Sequence, residues 1–75
     1  MTPFLVRVRT KPLPPALPIG EMLIYIAVFE TAEEALAGTA RELPDGWHAE
    51  QVIGVAEDSI AEQYRFRPGH VELLA

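Results

Sequence analysis

The chain of 75 residues contains no cysteine. This absence excludes a disulfide framework, a thiolate nucleophile and a zinc site made of cysteine ligands. Long hydrophobic runs are also missing, since no apolar stretch approaches the roughly 20 residues that a membrane-spanning helix needs. The first residues lack the basic and apolar segments of a secretory signal. We therefore expect a soluble protein in a reducing compartment, with a cytoplasmic location and no membrane contact.

Residue types for catalysis are scarce. The chain has a single serine, Ser59, whose simplest role is to cap a helix. A glycine-rich phosphate loop and a Gly-x-Ser-x-Gly nucleophile elbow are absent. A chain this short buries only about 60 to 65 % of the surface of its unfolded form, which leaves little room for a deep pocket. We expect no enzymatic activity and no cofactor.

Basic residues are few: six Lys and Arg stand against 11 Asp and Glu, and the net charge is −5. This charge argues against binding to nucleic acid or to an anionic membrane, because both need a positive surface. Residues 1–20 carry no acid, whereas residues 21–62 carry ten acids and one base. The basic ends either neutralise the acidic middle or form a patch that binds an anionic group or an acidic protein partner. The candidate patch consists of Arg7, Arg9, Arg65 and Arg67.

The segment Met22–Phe29 consists of eight consecutive apolar or aromatic residues. A strand with one wet face would alternate polar and apolar residues, so this run predicts a central strand that is buried on both faces. Alternate positions of Phe4–Arg9 are apolar, which predicts a half-buried strand beside the central one. Residues 11–20 include four prolines and are predicted to form a stiff loop between the two strands.

A helix is predicted to begin at Thr31, because Thr31 and Glu34 have the spacing of a capping box. Pro44 cannot continue a helix and is expected to end it. Gly38 weakens the helix by about 1 kcal/mol relative to alanine, unless close packing against the sheet requires it. The apolar stripe that faces the sheet is predicted to consist of Ala32, Ala35, Leu36, Ala40 and Leu43.

Trp47–Glu57 is predicted to be a third strand. The helical crossover that precedes it is long enough to bring it parallel to the central strand. A short helix is predicted from Ser59, and residues 70–74 form either an edge strand or a frayed final turn. Strict alternation along the third strand would place on one face Ala49, Ile53 and Val55.

These elements predict one small α+β domain over residues 1–75. Its sheet is expected to be mixed, with three or four strands, one main helix and a short C-terminal helix in the order ββαβα. The architecture is similar to half of a ferredoxin-like sheet, or to a β-grasp sheet if residues 70–74 form a strand. Such a likeness concerns the fold and does not imply a function.

Both histidines of the chain occur in His-x-Glu pairs, His48 with Glu50 and His70 with Glu72. On a strand, residues i and i+2 point the same way, so each pair can present an imidazole and a carboxylate together. If the two pairs lay on neighbouring strands, they would form a four-ligand site suited to zinc or iron. The alternative is that they are solvated residues at strand ends.

The C-terminal residues 60–75 resemble the helix-turn-helix of bacterial regulators. Ala61 would lie in the first helix, and Val71 with Leu74 would close the helix pair. The resemblance implies a DNA-binding accessory.

The leading expectation is a small interaction or regulatory module that acts through self-association or through a partner protein. The helix from Thr31 covers one face of the central strand, and the second face also needs a cover. The proline-rich loop and residues 59–66 are marginal for that purpose, so we expect a homodimer that pairs through the second face. Metal or small-ligand binding and DNA binding are the competing classes.

The central strand makes a prediction for stability. Ile26→Ala removes a large aliphatic side chain from a strand that is buried on both faces, so we expect a loss of about 3 kcal/mol or more. In a domain this small that loss should largely unfold the protein, as measured by thermal denaturation. A melting temperature within a few degrees of wild type would contradict the central-strand assignment.

Overall fold

The computed structural model describes residues 1–16, 18–60 and 67–74. The elements are β1 (Thr2–Arg9), β2 (Met22–Phe29), α1 (Ala32–Glu42), β3 (His48–Val55) and β4 (Val71–Leu73). They form a four-stranded sheet in the order β3-β1-β2-β4, with α1 packed against it. The α+β class is therefore confirmed. No helix in the described part of the chain has the length and hydropathy to cross a membrane.

The expectation of a mixed sheet is wrong, because each pair of neighbouring strands in the described sheet is antiparallel. β3 does run in the same direction as β2, but β1 lies between them. β1 occupies one side of β2 and β4 occupies the other, so the crossover through α1 must carry β3 past β1 to the free side of β1. β3 then pairs antiparallel with β1.

The predicted limits of the helix are confirmed. The hydroxyl of Thr31 accepts a hydrogen bond from the backbone N–H of Glu34 at 3.2 Å and donates one to the Glu34 carboxylate at 3.1 Å. The first of these bonds satisfies one of the four backbone N–H groups that have no partner within the helix at its N-terminus. At the other end the backbone N–H of Leu43 bonds to the carbonyl of Ala40, and Pro44 follows.

The main core lies between α1 and one face of the sheet. Its centre consists of the buried residues Val6, Val8, Ala27 and Ala35. The side chains packed around it include Phe4, Leu23, Tyr25, Phe29, Leu36, Trp47, Ala49 and Val52. The alternation predicted for β1 therefore holds, with its apolar face turned towards the helix.

The second face of β2 is also covered at its centre. Ile26 and Val28 alternate with Ala27 and so lie on the face opposite α1, yet their exposed fractions are 0 % and 5 %. That burial occurs within a single chain. The expected dimer depends on an uncovered apolar surface on the second face, and at Ile26 and Val28 that surface is already covered. Met22, at the start of the strand, remains 55 % exposed.

Two register irregularities in β3 correct the predicted alternation. The pairing with β1 shifts between Leu5 and Val6 and again between Arg7 and Val8, and β3 has one extra residue at each shift. As a result, Val6 pairs with Val52 and Val8 pairs with Ala49. Bulges of this kind turn side chains that strict alternation would place on opposite faces towards the same face. Ala49 and Val52 therefore both contact the core.

The C-terminal residues end in a strand, and the frayed final turn is not formed. β4 pairs with β2, and the backbone N–H of Leu74 continues the ladder to the carbonyl of Ile24 at 2.8 Å. The predicted helix-turn-helix is therefore wrong, since Val71 lies in a strand where that motif needs a helix. The backbone is helical at 58–60, and the remainder of the short helix predicted from Ser59 lies outside the described residues.

Gly38 is required for close packing of α1 against the sheet, because the ring of Phe29 lies directly beneath it. A Cβ atom at this position would overlap the end of that ring. We expect Gly38→Ala to lower the free energy of unfolding by about 1–3 kcal/mol, the usual cost of overpacking, although alanine is the better helix former. Urea denaturation measures this change.

Phe29→Leu provides the matched test of the mechanism. If the clash is with the ring, Gly38→Ala should cost less in the Phe29→Leu background, so the two substitutions should not be additive. A Gly38→Ala variant that is more stable than wild type would contradict the close packing.

Candidate functional site

Arg7, Arg9 and Glu50 form a charged cluster on the sheet face opposite α1. The Glu50 carboxylate accepts a hydrogen bond from the Arg7 Nε–H at 3.0 Å and lies 3.6 Å from the Arg9 Nε. The three side chains are about one-third exposed. Two cations share one anion, so the cluster carries a formal charge of +1. It ties β3 to β1 on this face.

The predicted basic patch is only partly assembled. Arg7 and Arg9 lie together, whereas Arg67 precedes β4, near the end of β2 where Gly69 bonds to Val28. Arg9 pairs with the opposite end of β2, about 20 Å away along a strand of this length. Arg65 lies outside the described residues. The geometry therefore offers two arginines that share Glu50 and does not bring Arg67 to them.

The two His-x-Glu pairs lie on opposite edges of the sheet. His48 and Glu50 are in β3, His70 directly precedes β4 and Glu72 is within it. Two strands separate these edges, which corresponds to roughly 14 Å. The His70 Nε2 and a Glu72 carboxylate oxygen are 3.7 Å apart. Among the described residues no group of three or more histidines and acids is arranged to hold a metal.

A cleft of about 320 Å³ lies where β1 ends and β2 begins. Its lining residues are Thr10, Lys11, Leu13, Glu21, Leu23 and Trp47. Thr10 closes the two strands here, since its N–H donates to the Glu21 carbonyl at 2.9 Å and its hydroxyl accepts from the Glu21 N–H at 2.8 Å. The cleft is mainly apolar and reaches the lower limit of typical small-molecule sites.

Reasoning from the sequence missed this cleft. The sequence predicts the proline-rich loop as a connection and a marginal cover for the second face, and it predicts Trp47 as the start of a strand. The signal in the sequence was the Asp45-Gly46 turn before Trp47. In the structure Gly46 adopts a φ of 87° and lies against the aliphatic part of Lys11. That contact brings the loop and Trp47 to the same place.

The outer edge of β3 is a further exposed feature. β3 lies at one border of the sheet, so one side of its backbone has no neighbouring strand in the described part of the chain. Ile53 and Val55 are 45 % and 53 % exposed. The five residues 51–55 carry no charge and no proline. A border strand of this composition offers both hydrogen-bonding groups and apolar contacts to an added strand.

No protein-family model, curated protein or solved structure matches this chain. The function has to be inferred from the chemistry and exposure of its own surfaces. Of these surfaces, the β3 edge combines unpaired backbone groups with exposed aliphatic side chains.

Glu50 makes a testable contribution to stability. Glu50→Gln removes the carboxylate that holds Arg7 and Arg9, and we expect a loss below about 1 kcal/mol because all three groups are partly solvated. High salt should reduce this loss, since it screens partly exposed charges. Urea denaturation at low and at high salt measures both effects.

Glu21→Gln is the matched control, because Glu21 is exposed and forms no ion pair with the described residues. Equal effects of the two substitutions, or a Glu50→Gln effect that salt leaves unchanged, would contradict the role of the ion pairs.

Proposed function

We propose that this protein is a small interaction module whose binding element is the outer edge of β3. The observation that carries the proposal is the uncharged stretch 51–55 on a border strand, with Ile53 and Val55 exposed beside backbone groups that no described strand pairs. Addition of an extended segment to such an edge is a common mode of protein recognition. Backbone hydrogen bonds supply the affinity, and side-chain contacts supply the specificity.

Sheet proteins usually protect their border strands. Charged side chains, prolines and bulges are the common means of preventing unwanted pairing. β3 has two bulges on the side of β1 but neither charge nor proline in residues 51–55. Glu50 is the nearest acid, and its carboxylate is turned to Arg7 and Arg9 on the sheet face. Residues 51–55 therefore present no charged side chain that would repel an added strand.

The rest of the fold holds β3 in place. α1 packs against β3 as well as β2, and Ala49 and Val52 anchor the strand in the core. A rigid strand loses little conformational entropy when it binds, which favours association. An added strand would therefore meet a preformed template.

Ile53→Lys tests the proposal, because a lysine on a border strand opposes strand addition. Wild-type protein and the variant are each immobilised and used to capture proteins from a cell lysate. The captured proteins are identified and then purified. We expect a purified partner to bind wild type and to slow the hydrogen exchange of the β3 amides. Ile53→Lys should lose this binding.

Ile19→Lys is the control, because it makes the same chemical change at a residue that is 72 % exposed and lies in the loop 11–20. It should bind like wild type. Circular dichroism checks that both variants fold. A partner that binds Ile53→Lys as well as wild type, or that leaves β3 exchange unchanged, would overturn the proposal.

A further inference from the structure

We infer that the cleft between the start of β2 and Trp47 binds a free amino acid with a large apolar side chain. None of its lining residues belongs to the stretch 51–55 of the β3 edge. The inference therefore goes beyond the proposed function and does not depend on it. It is carried by two opposite charges, Lys11 and Glu21, that border one apolar opening without pairing with each other.

The cleft is built where three segments of the chain meet at one end of the sheet. Thr10 follows β1 and is joined to Glu21, which precedes β2, by a bond of 2.9 Å from its N–H and one of 2.8 Å to its hydroxyl. Trp47 precedes β3, whose first residue pairs with Arg9 at the end of β1. The walls of the cleft are therefore fixed by the pairing of the strands.

The apolar part of the lining comes from Leu13, Leu23 and Trp47. Leu23 and Trp47 are half-buried and pack against the core, whereas Leu13 is 59 % exposed in the proline-rich loop. An apolar ligand side chain placed among them would remove apolar surface from water and gain contact with the indole. A volume of about 320 Å³ suits a ligand of amino-acid size.

The cationic side of the opening is Lys11. Its Cβ, Cγ and Cδ atoms pack beside Gly46, within 3.0–3.3 Å of the place where a Cβ atom on Gly46 would lie. A lysine whose aliphatic stem is packed in this way keeps its ammonium group in solvent. Among the described residues Lys11 forms no ion pair, so its charge is not neutralised by a neighbour.

The anionic side of the opening is Glu21, which is exposed and also forms no ion pair with a described residue. A ligand with only a carboxylate would be attracted by Lys11 and repelled by Glu21, and an amine would meet the reverse. A zwitterion satisfies both charges, with its carboxylate at Lys11 and its ammonium at Glu21. The lining thus selects the two charges of a free amino acid together with an apolar side chain.

Trp47 is the single tryptophan of the chain, so tryptophan fluorescence reports on this cleft alone. Phenylalanine is the probe, because it does not absorb at the red edge of the tryptophan band. We expect a saturable change with a dissociation constant of about 1 mM, since small open clefts bind weakly. Glycine carries the same two charges without an apolar side chain and should give no saturable change.

Three analogues of phenylalanine test the role of the charges. 3-Phenylpropionate lacks the ammonium group and phenethylamine lacks the carboxylate. Each should bind about two- to five-fold more weakly than phenylalanine, which is the size of one exposed ion pair. N-Acetylphenylalaninamide lacks both charges and should bind more weakly still. If it binds as tightly as phenylalanine, the cleft accepts an apolar side chain of another protein and the inference is overturned.

Charge-removing variants should change the order of these ligands. In Glu21→Gln, 3-phenylpropionate should bind at least as tightly as phenylalanine, because the repulsion of its carboxylate is gone. In Lys11→Gln, phenethylamine should do so for the corresponding reason. Glu30→Gln is the control: Glu30 is exposed and follows β2 at its other end, so this variant should keep the wild-type order.

A change of ligand order separates a binding role from a loss of folding, which would weaken all ligands alike. Circular dichroism checks that each variant is folded. Wild type that shows no saturable change up to the solubility limit of phenylalanine would overturn the inference. The wild-type order of ligands in both Glu21→Gln and Lys11→Gln would also overturn it.

Discussion

The pairing of β1 with β2 is the constraint on which the rest of the structure depends. The two strands are in register along their whole length, from Thr2 opposite Phe29 to Arg9 opposite Met22. Thr10 and Glu21 extend the pairing through one further backbone hydrogen bond and one bond from the Glu21 N–H to the Thr10 hydroxyl. Once this hairpin has formed, each strand has a single free side. In the structure β3 occupies the free side of β1, and β4 occupies the free side of β2.

This arrangement determines how closely the helix packs. α1 has to cross the hairpin between β2 and β3, and it does so over the side chains that β1 and β2 turn towards it. The small residues Ala35 and Gly38 allow the close approach, with Gly38 seated on the ring of Phe29. Bulkier residues there would separate the helix from the sheet and open the core.

The same constraint distributes the chemistry of the molecule. It sends His48 and His70 to opposite edges, and it brings Glu50 beside Arg7 and Arg9. It also leaves β3 as a border strand, on which Ile53 and Val55 are exposed while Ala49 and Val52 contact the core. The surface we propose for association is thus a consequence of strand order.

Local sequence determined the elements, because caps, turns and hydrophobic periodicity act over a few residues. The Thr31 cap, the Pro44 stop, the central strand Met22–Phe29 and the apolar face of β1 could all be predicted. Strand order and register could not, since they depend on which free edge is available after the hairpin closes. For that reason the mixed sheet, the four-residue metal site and the gathering of the arginines were expectations that the described fold does not realise, and only the tertiary structure decided that residues 51–55 lie on an open edge.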